Sequence, residues 1–155
     1  MVVKTLNNII RTNLLLIGVL MMNYTYAQDL KKHQWESRVV IIASQNEDSR
    51  TYQEQITEFN SLPEEFKERK IIVYQVLPDK YKLTDYQIKG KDFEWISSPA
   101  LFDKFVNNKL DFMVILIGLD GGIKLEKTEV LTTTELFATI DVMPMRRAEM
   151  KNKNR

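Results

Sequence analysis

FMVILIGLDGGIKLEK, residues 112–127, contains the pattern from which the rest of the fold can be worked out. Six consecutive apolar residues at 112–117 are followed by a glycine-rich turn at 118–122 and by an arm at 123–127 that alternates apolar with charged residues. A continuous apolar strand must be covered on both faces, whereas an alternating strand keeps one face in water. The Asp-Gly pair suits the turn because glycine tolerates positive φ. The stretch therefore predicts a β-hairpin with a central first strand and a second strand at the sheet edge.

Two further apolar, β-branched runs precede the hairpin, at residues 38–43 and 71–77. Between them, apolar residues at helical spacing predict a helix from about Ser49 to Leu62, with Asp48 or Ser49 as its N-cap. A strand, a helix and a strand in succession form a βαβ unit, whose two strands are parallel.

Two later helices have recognisable starts. Ser98 and Pro99 predict an N-cap and a first helical position, and Thr132 and Glu135 have the spacing of a capping box. Pro144 should end the second of these helices, because proline cannot continue the hydrogen-bond ladder.

The order strand, helix, strand, helix, hairpin, helix is the βαβαββα arrangement of a thioredoxin-like core. It predicts an α/β domain with one four-stranded mixed sheet and helices on both faces, and with residues 38–43 beside residues 112–117 at its centre. Residues 79–97 show no clear period and are expected to form an ordered excursion. We expect one set of apolar residues to be buried together: Ile41, Phe105, Val114, Leu116, Phe137 and Ile140.

Composition excludes several classes of site. The chain has 155 residues, of which 44% are hydrophobic, enough for one domain. Its 22 basic and 21 acidic residues give no field that would attract nucleic acid. It has no cysteine, which excludes disulfides, thiolate metal sites and nucleophilic cysteine. A single histidine, His33, excludes a multi-histidine metal site. Metal binding could come only from carboxylates, and redox chemistry would need a bound cofactor; we expect neither a metal nor a cofactor.

Residues 1–27 have the pattern of an export signal: Lys4 and Arg11 give a basic start, residues 14–22 are apolar, and small residues end at Ala27. A membrane anchor is the alternative interpretation. The nine residues of the apolar run are far fewer than the roughly 20 that a spanning helix requires, which favours the signal.

The predicted layout is thus a signal peptide at 1–27, a thioredoxin-like domain at 28–148 and a basic tail at 149–155. We expect the mature protein to be exported, periplasmic or secreted, and to contain no transmembrane segment.

Three stretches of the mature chain resemble the P-DUDES domain, the domain of unknown function 4174. They are WESRVV at 35–40, LIGLDGGIKL at 116–125 and LFATIDVMPMRRAE at 136–149. That family comprises exported bacterial proteins and a domain of animal sushi-repeat-containing extracellular proteins. The resemblance implies a thioredoxin-like fold without the redox dithiol, and a biochemical role that is not established. Residues 44–48, SQNED, stand where a thioredoxin has its paired cysteines.

The loop after the first strand supplies one group of candidate binding residues, Ser44, Gln45 and Asp48. The carboxyl end of a central strand, at the start of a helix, is where α/β folds place ligands. The alternative is simple helix capping, since acidic residues there already complement the helix dipole.

The remaining candidates lie later in the chain. Asp120 could contact a ligand, although turn geometry alone accounts for the glycines around it. Arg146 and Arg147 could bind a carboxylate or phosphate in bidentate fashion, although basic residues after a helix end are commonly solvated surface.

Two functions from different classes fit the sequence. The first is a non-catalytic binding module that contacts a protein or an envelope component through the edge near residues 44–48 and the basic tail. The second is an enzyme of non-thiol chemistry that uses Ser44, Asp48 and a converging arginine. A cleft that joins these three groups would favour the enzyme.

The first testable expectation concerns processing. Because the apolar run is too short to span a membrane and ends at small residues, the mature protein should begin at Gln28. N-terminal sequencing of the protein from the native envelope fraction measures this directly. Recovery of intact Met1 or Val2 in the membrane pellet would show that the segment is an anchor.

Overall fold

The computed structural model describes residues 30–88, 93–106 and 110–153. The chain divides into two units, Met1–Lys32 and His33–Arg155, and the fold given below is that of the second. The predicted export signal at residues 1–27 lies outside the described residues. Within the described residues, every helix is too short or too polar to cross a membrane.

The second unit alternates strands and helices in the predicted order, with additions. Its elements are β1 (Arg38–Ser44), α1 (Arg50–Asn60), α2 (Pro63–Glu68), β2 (Ile71–Val76), β3 (Lys80–Asp85), β4 (Ile96–Ser97), α3 (Ala100–Phe105), β5 (Phe112–Ile117), β6 (Ile123–Lys127), α4 (Thr133–Asp141) and α5 (Pro144–Lys153).

These strands form one mixed sheet in the order β4-β3-β2-β1-β5-β6. β1 is parallel to β2 and antiparallel to β5, and the remaining neighbours are antiparallel. The predicted adjacency of the first strand and the first arm of the hairpin at the sheet centre is confirmed. The second arm lies at the sheet edge, as its alternating pattern predicts.

The prediction of four strands is wrong, because the described residues form a sheet of six. The two additional strands, β3 and β4, come from residues 79–97, which show no clear period in the sequence. Tyr81 and Leu83 of β3 pair with Val76 and Tyr74 of β2. The backbone groups on the outer edge of β2 need hydrogen-bond partners, and β3 supplies them. β3 has only two apolar residues, Tyr81 and Leu83, which is too weak an alternation to predict a strand.

One face of the sheet carries the hydrophobic core. Val40 and Ile42 of β1 pair with Leu116 and Val114 of β5, and all four are fully buried. The helices add further buried residues to this core: Phe59, Phe66, Leu136 and Ile140.

The opposite face is buried as well, and Ile41 belongs to it. Ile41 is 1% exposed, but alternate residues of a strand point to opposite faces, so it faces away from Val40 and Ile42. Its neighbour across the sheet is Ile115. The prediction that Ile41 shares a single core with Leu116 is therefore wrong.

Two other predicted core residues are less buried than expected. Phe137 is half-buried and packs against the core from outside, with its ring 5.4 Å from that of Phe66. Phe105 is half-buried and is the last residue of α3, so its ring lies at a helix end.

The helix starts follow the predicted caps in two of three cases. The Ser49 side chain accepts a hydrogen bond from the Tyr52 N–H, and the Thr132 side chain accepts one from the Glu135 N–H. The third prediction is wrong by one residue, because α3 begins at Ala100 with Pro99 as its N-cap. Pro99 already has helical φ and ψ, and its fixed φ favours that conformation.

The core assignment is tested at Leu116, which is fully buried. We expect Leu116→Ala to lower the free energy of unfolding by about 2–5 kcal/mol, because it removes buried methyl groups and leaves a cavity. The matched control is Ile123→Ala on the neighbouring strand, where the side chain is 54% exposed. Urea unfolding measures both, and equal losses for the two variants would contradict the assignment.

Candidate functional site

Arg38 is a charged residue inside the protein. It is the first residue of the buried central strand β1 and is 1% exposed. Its backbone N–H donates to the Lys70 carbonyl over 2.8 Å, which fixes the start of the strand. Burying a guanidinium is costly unless it is paired and hydrogen-bonded, so its partners have to be counted.

Only one end of the Arg38 guanidinium has partners among the described residues. Nη1 donates to the Arg69 carbonyl over 2.8 Å and contacts a carboxylate oxygen of Glu149 at 3.3 Å. Nε and Nη2 are buried and make no hydrogen bond to a described residue. These two nitrogens form one edge of the planar group, the fork that binds a carboxylate or phosphate in bidentate fashion.

Arg38 lines a cavity of about 300 Å³. Three segments that are distant in sequence form its walls: the start of β1, the β5–β6 turn, and the junction of α4 with α5. Besides Arg38, the lining residues are Gly118, Leu119, Asp120, Lys124, Met143, Pro144 and Met145. The three stretches on which the family resemblance rests therefore meet at this cavity.

The β5–β6 turn is held by its own polar groups. Asp120 accepts a hydrogen bond from the Gly122 N–H over 3.1 Å and pairs with the Lys124 ammonium over 2.6 Å. The hydrogen bonds from Lys124 and from the Gly122 backbone lower the pKa of Asp120. A Cβ atom on Gly118 would lie 2.5 Å from Cε of Lys124, so the lysine side chain crosses this residue. Gly121 has φ of 80°, which favours glycine.

The chain before β1 is fixed to this turn. The Trp35 N–H donates to the Leu119 carbonyl over 2.7 Å, and the Gln34 side-chain amide donates to the Asp120 carbonyl over 3.0 Å. Trp35 has φ of 69°, a left-handed conformation that costs a bulky residue about 1–2 kcal/mol. Two long-range hydrogen bonds thus position the wall of the cavity that Leu119 and Asp120 form.

A network of arginines and acids lies next to Arg38. Asp141 pairs with Arg69 and with Arg146, and Glu68 pairs with Arg146 over 2.9 Å. Burial raises the pKa of Asp141, but the hydrogen bonds from Arg69 and Arg146 outweigh it and hold that pKa below its usual range. The hydrogen bond from Arg146 also lowers the pKa of Glu68. Both carboxylates are therefore ionised partners at neutral pH.

The predicted candidates Ser44, Gln45 and Asp48 lie at the far end of β1 from Arg38, about 20 Å away for a strand of this length. The Ser44 hydroxyl is fully buried; it donates to the Asn46 carbonyl and accepts from the Asn46 N–H. The Gln45 N–H donates to the Asp111 carbonyl, and Asp48 is exposed. Among the described residues, no hydrogen bond or ion pair joins an arginine to this loop.

The other predicted candidates are closer to the cavity. Asp120 is part of its wall. Arg146 is 4% exposed and shares the Glu149 carboxylate with Arg38, so the two guanidinium groups are neighbours. Arg147 is exposed, and its backbone N–H donates to the Met143 carbonyl at the start of α5. The structure thus brings Asp120 and Arg146 towards one site and leaves the loop at residues 44–48 outside it.

Sequence reasoning did not single out Arg38, although one signal was present. It is a charged residue at the head of a run that is otherwise apolar and predicted to be buried on both faces. A charge in such a position indicates either an internal ion pair or a ligand contact.

The site offers hydrogen-bond donors and positive charge. Across the described ranges, no group of three or more His, Cys, Asp or Glu residues is arranged to hold a metal ion. A buried guanidinium with an unpartnered edge can recognise an anionic group.

Comparison with models of known protein families gives a match. The family model of a domain of unknown function, DUF4174, matches residues 29–149. No curated protein and no solved structure gives a significant match.

The arginine network is tested at Asp141. We expect Asp141→Asn to lower the free energy of unfolding at neutral pH by about 1–3 kcal/mol, because Arg69 and Arg146 lose a charged partner. The pKa of Asp141 is lower in the folded state than in the unfolded state. The Asp141 carboxylate therefore contributes its full stabilisation above the unfolded-state pKa of about 4, and this stabilisation is lost as the pH falls through the folded-state pKa. The difference in free energy of unfolding between Asp141→Asn and the wild-type chain should therefore disappear over that range of pH.

Urea unfolding at a series of pH values from neutral to acidic measures this gap. Glu126→Gln is the matched control, because Glu126 is an exposed acid of the edge strand β6. A gap for Asp141→Asn that does not change with pH would contradict the assigned role of the carboxylate.

Proposed function

The chain belongs to the DUF4174 family, also called P-DUDES, and from that membership and the site geometry we propose that it is an exported, non-catalytic binding module. The proposal has three parts: a thioredoxin-like core, export from the cytoplasm, and recognition of a ligand at the Arg38 cavity.

The strand arrangement supports the thioredoxin-like core. Four of the six strands have the order β2-β1-β5-β6, with β1 parallel to β2 and antiparallel to β5. A βαβ unit followed by a hairpin and a helix gives this arrangement. In this interpretation, β3 and β4 are an addition on the outer edge of β2, and helices cover both faces of the core.

The unpartnered edge of Arg38 is the observation that carries the binding role. Leaving a buried donor without a hydrogen bond costs about 1–3 kcal/mol, and more for a charged group. Buried polar groups without partners are rare in native proteins and call for a specific explanation. A ligand that accepts hydrogen bonds from Nε and Nη2 would offset this cost, and Arg38 is one of the residues that line a cavity.

The alternative enzyme would need Ser44, Asp48 and an arginine to converge. The Ser44 hydroxyl is engaged by the backbone of its own loop, and a serine nucleophile also needs an adjacent base. No observation in the described residues favours that function, and the binding module is the one that we propose.

Export and the nature of the partner are supported by the sequence. Residues 1–27 have the signal pattern, and the near balance of 22 basic and 21 acidic residues gives no reason to propose nucleic acid as a partner. We propose that the partner is a protein or another component of the cell envelope or extracellular space.

The proposed function is tested by thermal unfolding of the mature chain in the presence of envelope extract, fractionated by size. A component that binds the folded state should raise the Tm in proportion to the logarithm of its concentration. Insulin reduction and peroxide consumption are measured in parallel, and we expect neither, since both reactions need a thiolate. Unchanged Tm in every fraction, or turnover by thiol-free protein, would contradict the proposal.

A further inference from the structure

We propose that the Arg38 cavity binds a single carboxylate group attached to a small apolar body. The proposal rests on the binding function given above and names the chemical class of its ligand. The carboxylate oxygens accept hydrogen bonds from Nε and Nη2 of Arg38, and the apolar body occupies the rest of the cavity.

The orientation of the guanidinium is the first argument. Nη1 is held by the Arg69 carbonyl and by Glu149, so the plane of the group is fixed and its other edge is preorganised. Preorganised donors bind with less loss of side-chain entropy than mobile ones. This distinguishes Arg38 from an exposed arginine, whose fork has to be ordered when a ligand binds.

Arg69 shows the same recognition geometry within this protein. Its Nε and Nη2 atoms bind the two carboxylate oxygens of Asp141 at 3.1 and 2.7 Å. Arg38 offers the same pair of nitrogens, buried and without a described partner. The ligand carboxylate would therefore bind Arg38 in the geometry in which the Asp141 carboxylate binds Arg69.

The charge of the cavity favours a monoanion. Its lining contains two cations, Arg38 and Lys124, and one acid, Asp120, which is paired with Lys124. Among the lining residues, one positive charge thus remains, that of Arg38, which shares the Glu149 carboxylate outside the lining with Arg146. α5 begins at Pro144 in the cavity wall, and the partial positive charge at a helix N-terminus adds to the attraction. A phosphate dianion carries a second negative charge, and the cavity lining has no further cation to pair with it.

The remaining wall is apolar and small. It consists of Leu119, Met143, Pro144 and Met145, and methionine side chains adapt readily to different ligand shapes. A volume of about 300 Å³ is at the lower end of the range for small-molecule sites. A short aliphatic acid fits this description, and so does the C-terminal residue of a peptide.

The broader groove between α2 and α5 does not offer the same chemistry. It is lined by charged residues, among them Glu68, Arg146 and Lys153. Arg146 uses Nε on Asp141, Nη2 on Glu68, and Nη1 on Glu149 and the Glu68 carbonyl. Its guanidinium is therefore already matched by the protein, unlike that of Arg38.

The test is an NMR titration of the ¹⁵N-labelled mature chain that follows the Nε–H signal of Arg38, assigned by its loss in Arg38→Lys. The probes are hexanoate, a hexapeptide ending in leucine with a free carboxylate, the same peptide with an amidated C-terminus, and inorganic phosphate. We expect hexanoate or the free peptide to shift the signal, and the amidated peptide to leave it unchanged. Whichever of the two acids binds more tightly identifies the source of the carboxylate.

Two variants extend the test. Arg38→Lys keeps the charge and removes the fork, and should weaken binding by about tenfold or more, followed in this variant by the backbone amide signals of Gly118 and Leu119 in the cavity wall. Met145→Glu places a competing carboxylate at the mouth of the cavity and should have a similar effect. Met145 is 41% exposed and lies in the first turn of α5, where an acid is favourable, so this variant should fold even if Arg38→Lys does not.

Val142→Glu is the matched control, since Val142 is 59% exposed and is not part of the cavity lining. It should bind the acid within about twofold of the wild-type chain, because its charge lies outside the site. A tighter response to phosphate than to either acid would overturn the proposal. So would an unchanged Arg38 signal in all arms, or equal weakening by Met145→Glu and Val142→Glu. An envelope component that still raised the Tm would then show that the binding function holds with another ligand.

Discussion

The burial of the Arg38 guanidinium at the head of the central strand is the constraint on which the rest of this structure depends. A charge in that position requires partners, and the chain brings them from two other elements. The Arg69 carbonyl comes from the end of α2, and the Glu149 carboxylate comes from α5. Meeting this requirement fixes how the last helix returns to the start of the first strand. The contacts of Arg38 thus tie the end of α2 and the last helix to the strand whose alternate residues belong to the core.

The arginines next to Arg38 are almost completely paired with acids, so the unpaired edge of Arg38 stands out as a place for a ligand. Arg69 and Arg146 share Asp141, and Glu68 and Glu149 satisfy the remaining donors of Arg146. A network of this kind stabilises only when its members are satisfied, because the low local dielectric penalises each unpaired group. Among the described residues, Nε and Nη2 of Arg38 are the exception among the buried guanidinium donors of this network, and Arg38 lines the cavity that three separated segments enclose. The two unpaired nitrogens lower the stability of the ligand-free protein, and a bound ligand would offset that loss.

The sequence predicts the parts of this fold that depend on local pattern. The hairpin, the parallel pair β1 and β2, and the caps at Ser49 and Thr132 follow from periodicity and turn chemistry. β3 and β4 do not, because their pairing depends on the open edge of β2 and not on a strong pattern of their own. The role of Arg38 also escapes local reasoning, since its partners lie 31 and 111 residues away. Asp120 could be singled out as a turn residue, but its place in a cavity wall follows only from the tertiary structure.

The most direct test of this account is a crystal structure of the mature chain grown in the presence of hexanoate. Bidentate pairing predicts the two carboxylate oxygens at about 2.7–2.9 Å from Nε and Nη2 of Arg38, in the plane of the guanidinium, with the aliphatic chain against Met143 and Met145. Hydrogen bonds from those two nitrogens to a protein group, with the acid bound elsewhere or not at all, would contradict carboxylate binding at Arg38.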